Sequence, residues 1–379
     1  MNKQAFSAHA RALAAEHGVE ALAAALSTPT ATYRVTVGCK PRDRFHVASL
    51  TKPVTAWTAL DVVGPNLAIG AWPGVTCGDL LSHFSGYQCE YGDLARFGDG
   101  ADALQRASRS LQSLEPMVPP RTVWSYSNAG YWLAAAFAAA VGDAPYEELV
   151  RERVLAPLEL SNTSFDVVKG ETYPRARRPS GGLVSTIDEL LVLAQALGGA
   201  PGERQRQRVA DRLDGGYGLG MSCETVGAHE VWGHDGAWNG WRSTLVTIPT
   251  ESIALVVIAR GAATSKPLRA LADSVFESTI GARRLAPSPI LLGAHERGVF
   301  TGTYANERAT ATVRLTEAGI AVVLDEGTAS ETTLVAQPTA PNAFVVCGGV
   351  EDGTRFDFPL LASGSYALRL HSVMLRQAE

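Results

Sequence analysis

The chain has 379 residues, of which 46% are hydrophobic and 19% charged. That balance belongs to a globular protein with a sizeable core and excludes a wholly disordered chain. The formal net charge of −5, from 33 Lys+Arg against 38 Asp+Glu, offers no basic excess for nucleic acid as a general partner.

The first 26 residues carry alanines at helical spacing, interrupted by Arg11, Glu16 and Glu20. They predict one amphipathic helix, with neither a signal peptide nor a membrane span. Ala31 to Val37 (ATYRVTV) alternates and is β-branched, so a strand follows. Helical patterns come after Ser49, Asp79, Ala101 and Ser127, and again from Ile187 to Leu197. The most apolar run, Trp132 to Val141, is about half of what a bilayer crossing needs. A cytoplasmic protein is therefore expected. Between Gly216 and Arg260 the segments GYGLGMSC, EVWGH, WRSTLVTIP and SIALVVIAR read as strands, and Lys266 to Ile280 reads as a helix packing back on them. Strands at both ends of a helical middle predict a mixed α/β domain with an antiparallel sheet.

Gly281 to Gly293 (GARRLAPSPILLG) has no periodicity and is expected to be a linker. Beyond it, about eight short alternating segments separated by Gly, Asn and Asp predict a small all-β barrel or sandwich. The expected domains are therefore residues 1–285 and 294–379. Five scattered cysteines (Cys39, Cys77, Cys89, Cys223, Cys347), none in C-x-x-C, argue against a disulfide framework or zinc ribbon.

Three short motifs carry chemistry. Ser49-x-x-Lys52 sits in FHVASLTKPVTAW, and its spacing puts both side chains on one helix face. A serine at a helix start is a useful nucleophile: N-terminal amides stabilise negative charge, and a lysine one turn on holds or accepts the proton. Alone, the same pattern also fits a solvated pair on an ordinary helix. Tyr126-Ser127-Asn128 stands at a loop-to-helix junction, where a phenol and an amide can enter one cleft. A packed Tyr126 with an N-capping Ser127 or Asn128 fits as well. In His234-Asp235-Gly236 the glycine permits close approach of substrate, and the amides of Ala237 and Ser49 would make an oxyanion hole. Trp238, directly after the oxyanion residue, is expected to line the pocket.

Other motif chemistries fail. G-x-S-x-G is absent, His229-Glu230 lacks a second His at zincin spacing, and Gly216-x-Gly218-x-Gly220 precedes strand-like residues. No metal or nucleotide cofactor is expected.

In the order SxxK, YxN, HxG, the chain resembles the class C β-lactamase-like serine hydrolases. That penicillin-binding-protein-like group includes esterases, D-aminopeptidases, DD-peptidases and some transacylases. LLSHFSGY (Leu80 to Tyr87), GGLVSTIDEL (Gly181 to Leu190) and GYGLGM (Gly216 to Met221) extend the likeness over about residues 10 to 280. The resemblance implies a β-lactamase/DD-peptidase-like domain, an antiparallel sheet with a helical subdomain, followed by the small all-β domain. It implies that Ser49 forms an acyl-enzyme, that Lys52 and Tyr126 share its proton, and that Asn128 bonds the substrate. Gly236, Ala237 and Trp238 would line the substrate site. His234 stands where β-lactamases carry the lysine of a Lys-Thr-Gly box. Histidine is largely neutral at pH 7, so the site should favour small uncharged esters and amides over penicillin-like carboxylates. Hydrolysis is the leading expectation, and transfer of the acyl group to an amine or alcohol in natural-product biosynthesis is the alternative.

Overall fold

The strand-forming segments at the two ends of the first 280 residues meet in one sheet. The computed structural model describes residues 1–70, 72–87, 93–166, 173–261, 265–327 and 331–378; Cys89 lies outside them. The first eight-stranded sheet runs β2-β1-β10-β9-β8-β7-β6-β5. Its strands are β1 (Ala21–Thr28), β2 (Ala31–Val37), β5 (Ala210–Arg212), β6 (Gly215–Tyr217), β7 (Ser222–Val226), β8 (His229–Trp238), β9 (Trp241–Ile248) and β10 (Ile253–Arg260), all antiparallel. The short pair β3 (Phe45–His46) and β4 (Val184–Ser185) stands apart.

One expectation fails here. Helix α1 spans only Lys3–Glu16, and Ala21–Thr28 is strand β1. Gly18, at φ +60°, ends the helix after His17. Alanine favours a helix locally, but ALAAALST is buried along almost its whole length between β2 and β10. Small side chains suit a strand covered on both faces, and the long-range pairing overrides propensity.

Helices α1 and α9 (Lys266–Ile280) share one core with the sheet, in which Phe6, Leu13, Leu271 and Phe276 join Leu22, Leu26, Leu255 and Val257. Helix α8 (Ile187–Gly198), N-capped by Thr186, packs on β10, β1 and β9. It comes so close that a Cβ on Gly198 would lie 2.1 Å from Thr247 Oγ1. Helix α2 (Thr51–Val62) is buried almost all round and packs against the alanine-rich α5 (Asn128–Val141), whose Gly130 instead faces the Leu80 backbone, where a Cβ would lie 3.2 Å from the carbonyl oxygen. The other α-helices among the described residues are α3 (Cys77–Leu81), α4 (Ala103–Ser110), α6 (Tyr146–Val150), α7 (Arg178–Gly181) and α10 (Ala294–Gly298).

By its internal contacts the chain divides into two units. One comprises Met1–Ser82, Gly92–Ser113 and Asn128–Arg284; the other comprises His83–Tyr91, Leu114–Ser127 and Leu285–Glu379. In the second unit, strands β11 (Gly302–Ala305), β12 (Thr310–Leu315), β13 (Ile320–Asp325), β14 (Thr332–Ala340), β15 (Ala343–Val346), β16 (Arg355–Asp357), β17 (Ala367–Leu370) and β18 (Val373–Gln377) close into a barrel, settling the choice between barrel and sandwich. Its interior is filled by Phe300, Tyr304, Phe344, Phe356 and Phe358, with Phe300 and Phe358 stacked at 4.6 Å. The segment 83–87 and residues 114–127 join this barrel through Val118, Val123, Ala367 and Met374. Nothing in their spacing announces it. No described helix is long and apolar enough to cross a membrane.

Candidate active site

Ser49 lies in a one-turn helix, Ala48–Leu50, that leads directly into α2. Ala48 before it has φ +49°, a left-handed conformation that L-residues adopt at a cost. The turn is held from both sides. The Val47 N–H donates to the Leu183 carbonyl at 3.1 Å, and the Leu183 N–H donates to Thr51 Oγ1 at 3.1 Å. Thr51 Oγ1 in turn donates to the Ala48 carbonyl at 2.8 Å. GGLVSTIDEL therefore serves as the brace of the Ser49 turn, a role its sequence alone did not reveal.

Lys52 is fully buried, and its Nζ donates to Ser49 Oγ at 3.1 Å and to the Ser180 carbonyl at 2.6 Å. The Tyr131 ring lies 5.4 Å from the ammonium. Carbonyl, hydroxyl and π-face together offset the loss of water that a buried ammonium otherwise suffers. Ser180 is itself fixed: its Oγ accepts from the Trp132 indole at 2.9 Å and donates to the Arg177 carbonyl at 3.0 Å.

Strand β8 packs against the Ser49 turn and presents His234 and Gly236. Alternation buries both, while Asp235 and Ala237 are exposed. A Cβ on Gly236 would lie 2.7 Å from the Val47 carbonyl oxygen, so only glycine allows this contact. The hairpin turn Asn239-Gly240 has φ of +42° and +78°, the pattern of a two-residue type I′ turn. Trp238 and Trp241 are then a hydrogen-bonded pair, and Ala237, opposite Arg242, is not bonded to β9. Its amide points to the other edge of β8, beyond the last pairing with β7 at Ser222↔Gly233. That edge is a ready site for an oxygen acceptor.

His234 Nδ1 lies 2.6 Å from the Asp235 carbonyl oxygen, which can only accept, so Nδ1 carries the proton. Burial, and then the charge of Lys52, push the imidazole pKa down to about 3. The ring is neutral at pH 7, and Nε2 keeps its lone pair.

Trp238 is half-buried beside Tyr173, with ring centroids 4.9 Å apart, and the Arg177 guanidinium lies 5.0 Å over the indole. Trp124, Trp132, Trp232 and Trp241 are buried side chains. Tyr173, Arg177 and Ser180 were missed in the sequence because no motif spacing links them to Ser49. Asn128 opens α5 in the same unit. Tyr126 belongs to the barrel-containing unit, where its ring lies 4.3 Å from that of His83.

Thus the first unit brings Ser49, Lys52, His234, Gly236, Ala237 and Trp238 into one neighbourhood. Comparison with known proteins agrees with this architecture. A stretch of 229 residues is 24% identical to penicillin-binding protein 4 of Amycolatopsis lactamdurans, covering 49% of this chain and 60% of that protein. Another of 296 residues is 24% identical to a D-aminopeptidase of Brucella anthropi, covering 62% and 56%. The chain thus spans less than two thirds of the length of these curated relatives. The solved structure of SurE with D-Leu superposes with a TM-score of 0.80 over 99% of both chains at 21% identity, which establishes a common fold, barrel included. The Beta-lactamase family profile matches residues 6–279, most of the chain, and the protein belongs to that family.

Proposed function

We propose that this chain is a serine acyl-enzyme hydrolase acting on small uncharged amides or esters, with Ser49 as nucleophile. The observation that carries the reading is the buried Lys52 ammonium at 3.1 Å from Ser49 Oγ. In this scheme Ser49 Oγ attacks the carbonyl carbon, and its proton passes to the coupled Lys52–Tyr126 pair. The amides of Ser49 and Ala237 receive the developing oxyanion. The leaving amine or alcohol takes the proton, and water repeats the sequence to release the acid. Asn128 bonds the substrate amide, and Trp238 gives the pocket an apolar wall. The roles of Tyr126 and Asn128 rest on the motif resemblance. The names of two similar proteins, a D-aminopeptidase and a structure holding D-Leu, make the amides and esters of D-amino acids, with the α-amino group acylated so that they are uncharged, the first substrates to try.

A fluorophosphonate, followed by mass spectrometry, tests the nucleophile. Labelling on the peptide bearing Ser49, lost in Ser49→Ala, is expected; unchanged labelling of that variant would sink the scheme. The Trp238–Tyr173 wall favours a second reading, acyl transfer, because apolar walls suppress water at the acyl-enzyme. Added primary amines would then divert product from acid to amide according to amine structure. Strict return of free acid at every amine concentration leaves the hydrolase.

A further inference from the structure

His83, in LLSHFSGY, has no part in the chemistry above, yet it is buried and bonds both neighbours of Tyr126. Its carbonyl accepts from the Ser125 N–H at 3.0 Å, and its Nδ1 accepts from the Ser127 N–H at 3.0 Å. Between them, the Tyr126 N–H donates to the Ser372 carbonyl at 2.8 Å. Three consecutive amides are thus fixed, so the backbone that aims the phenol has little freedom. The barrel adds two bonds: Met374 N–H to Ser125 Oγ at 3.1 Å, and Arg369 Nη1 to the Trp124 carbonyl at 3.2 Å.

The backbone at these anchors is strained. His83, His371 and Ser372 have φ of +59°, +50° and +67°, and none is glycine. His371 and Ser372 form the two-residue turn between β17 and β18, where Asn-Gly would be the easy choice. Strain of this kind persists only where surrounding contacts over-determine it.

We propose that His83, together with the Ser372 turn of the barrel, is the positioning element of Tyr126. The inference rests on the reading of Tyr126 as proton carrier. His83 acts through the Tyr126 backbone, which it brackets, and through the ring, 4.3 Å away.

A double-mutant cycle tests it. Turnover is measured for His83→Ala, Tyr126→Phe and the pair, on the full chain, with KM and melting temperature recorded. His83→Ala is expected to lower kcat by about 10- to 100-fold with little change in KM, the cost of a misplaced catalytic group. In the Tyr126→Phe background it should cost nothing further. His83→Asn should recover most of the loss, since asparagine tolerates positive φ and its Oδ1 can replace the Nδ1 acceptor. An equal factor in both backgrounds, or a His83→Asn variant as slow as His83→Ala, overturns the positioning role. Near-full turnover of Tyr126→Phe instead removes the proton-carrier reading on which the inference rests. Should His83→Ala fail to fold, Ser125→Ala carries the same cycle by deleting the acceptor of Met374 N–H, with about tenfold expected.

Discussion

Gly236→Ala measures how tightly β8 is set against the Ser49 turn. The added Cβ would lie 2.2 Å from Ser243 Oγ, 2.7 Å from the Val47 carbonyl oxygen and 3.1 Å from Ala48 Cβ. Ser243 can rotate away, but its Oγ donates to the same Val47 carbonyl at 2.8 Å, and losing that bond costs about 1 kcal/mol. The carbonyl is backbone, braced through the Val47 N–H to Leu183, and must retreat by roughly 0.5–1 Å to reach ordinary contact. Overpacking of this kind costs about 1–3 kcal/mol. The total, about 2–4 kcal/mol, corresponds to a melting temperature lower by about 5–15 °C. The same retreat would separate the Ser49 and Ala237 amides, so kcat should fall by about 100-fold. Thermal denaturation followed by circular dichroism and ester turnover give the two readouts. Gly70→Ala is the control, since a Cβ there meets nothing within 4 Å. A Gly236→Ala variant that matches the control in both readouts would refute the close packing of strand and turn.

Lys52→Met replaces the buried ammonium by an apolar chain of similar length, so folding should survive while turnover falls by about 100- to 10,000-fold; a loss under tenfold in ester turnover would show that another group moves the proton. His234 has a folded pKa near 3, below the unfolded value of about 6.5, so the unfolded state binds more protons between the two and stability must fall as pH drops through that window. His234→Gln should remove up to about 1.4 kcal/mol per pH unit of this slope, read from melting curves between about pH 6.5 and 4.5; an unchanged slope contradicts the neutral buried ring. In the barrel, Arg369 and Asp357 form a nearly buried ion pair at 2.5 Å, and Arg369→Leu should destabilise by about 3–5 kcal/mol, more than Arg369→Leu combined with Asp357→Leu. Urea denaturation compares the two, and equal loss would show the pair to be solvated.

What the sequence disclosed was mostly local. Ser49 and Lys52 share a helix face at a spacing of three, and β2 occupies the residues its alternation predicts. The eight barrel strands repeat a period of two between turn residues, so they too were legible. The hidden features depend on distant pairing. ALAAALST reads as helix until β10 lies beside it. Ser180 matters because its carbonyl meets an ammonium 128 positions away in the chain. His83 stood inside a recognised motif, but its purpose depends on Ser125 and Ser127, more than forty residues on. Tyr173 and Arg177 carry no spacing signal at all.

The electrostatics of the site follow from one substitution in the motif. A lysine ammonium about 4 Å from a bound carboxylate contributes on the order of 4 kcal/mol at an effective dielectric of 20. A neutral imidazole contributes no such term, and that difference is worth nearly a thousandfold in affinity. Burial and the Lys52 charge both hold His234 neutral, and the Nδ1–H is already committed to the Asp235 carbonyl. His234 therefore brings no positive charge, and its Nε2 is an acceptor nitrogen, while the β8 edge presents the Ala237 amide. A donor edge and a neutral acceptor would match the C=O and N–H of an amide, whereas an ester would use the donor edge alone. On the proposed reading, a preference for uncharged substrates would come from removing a cation rather than adding a contact.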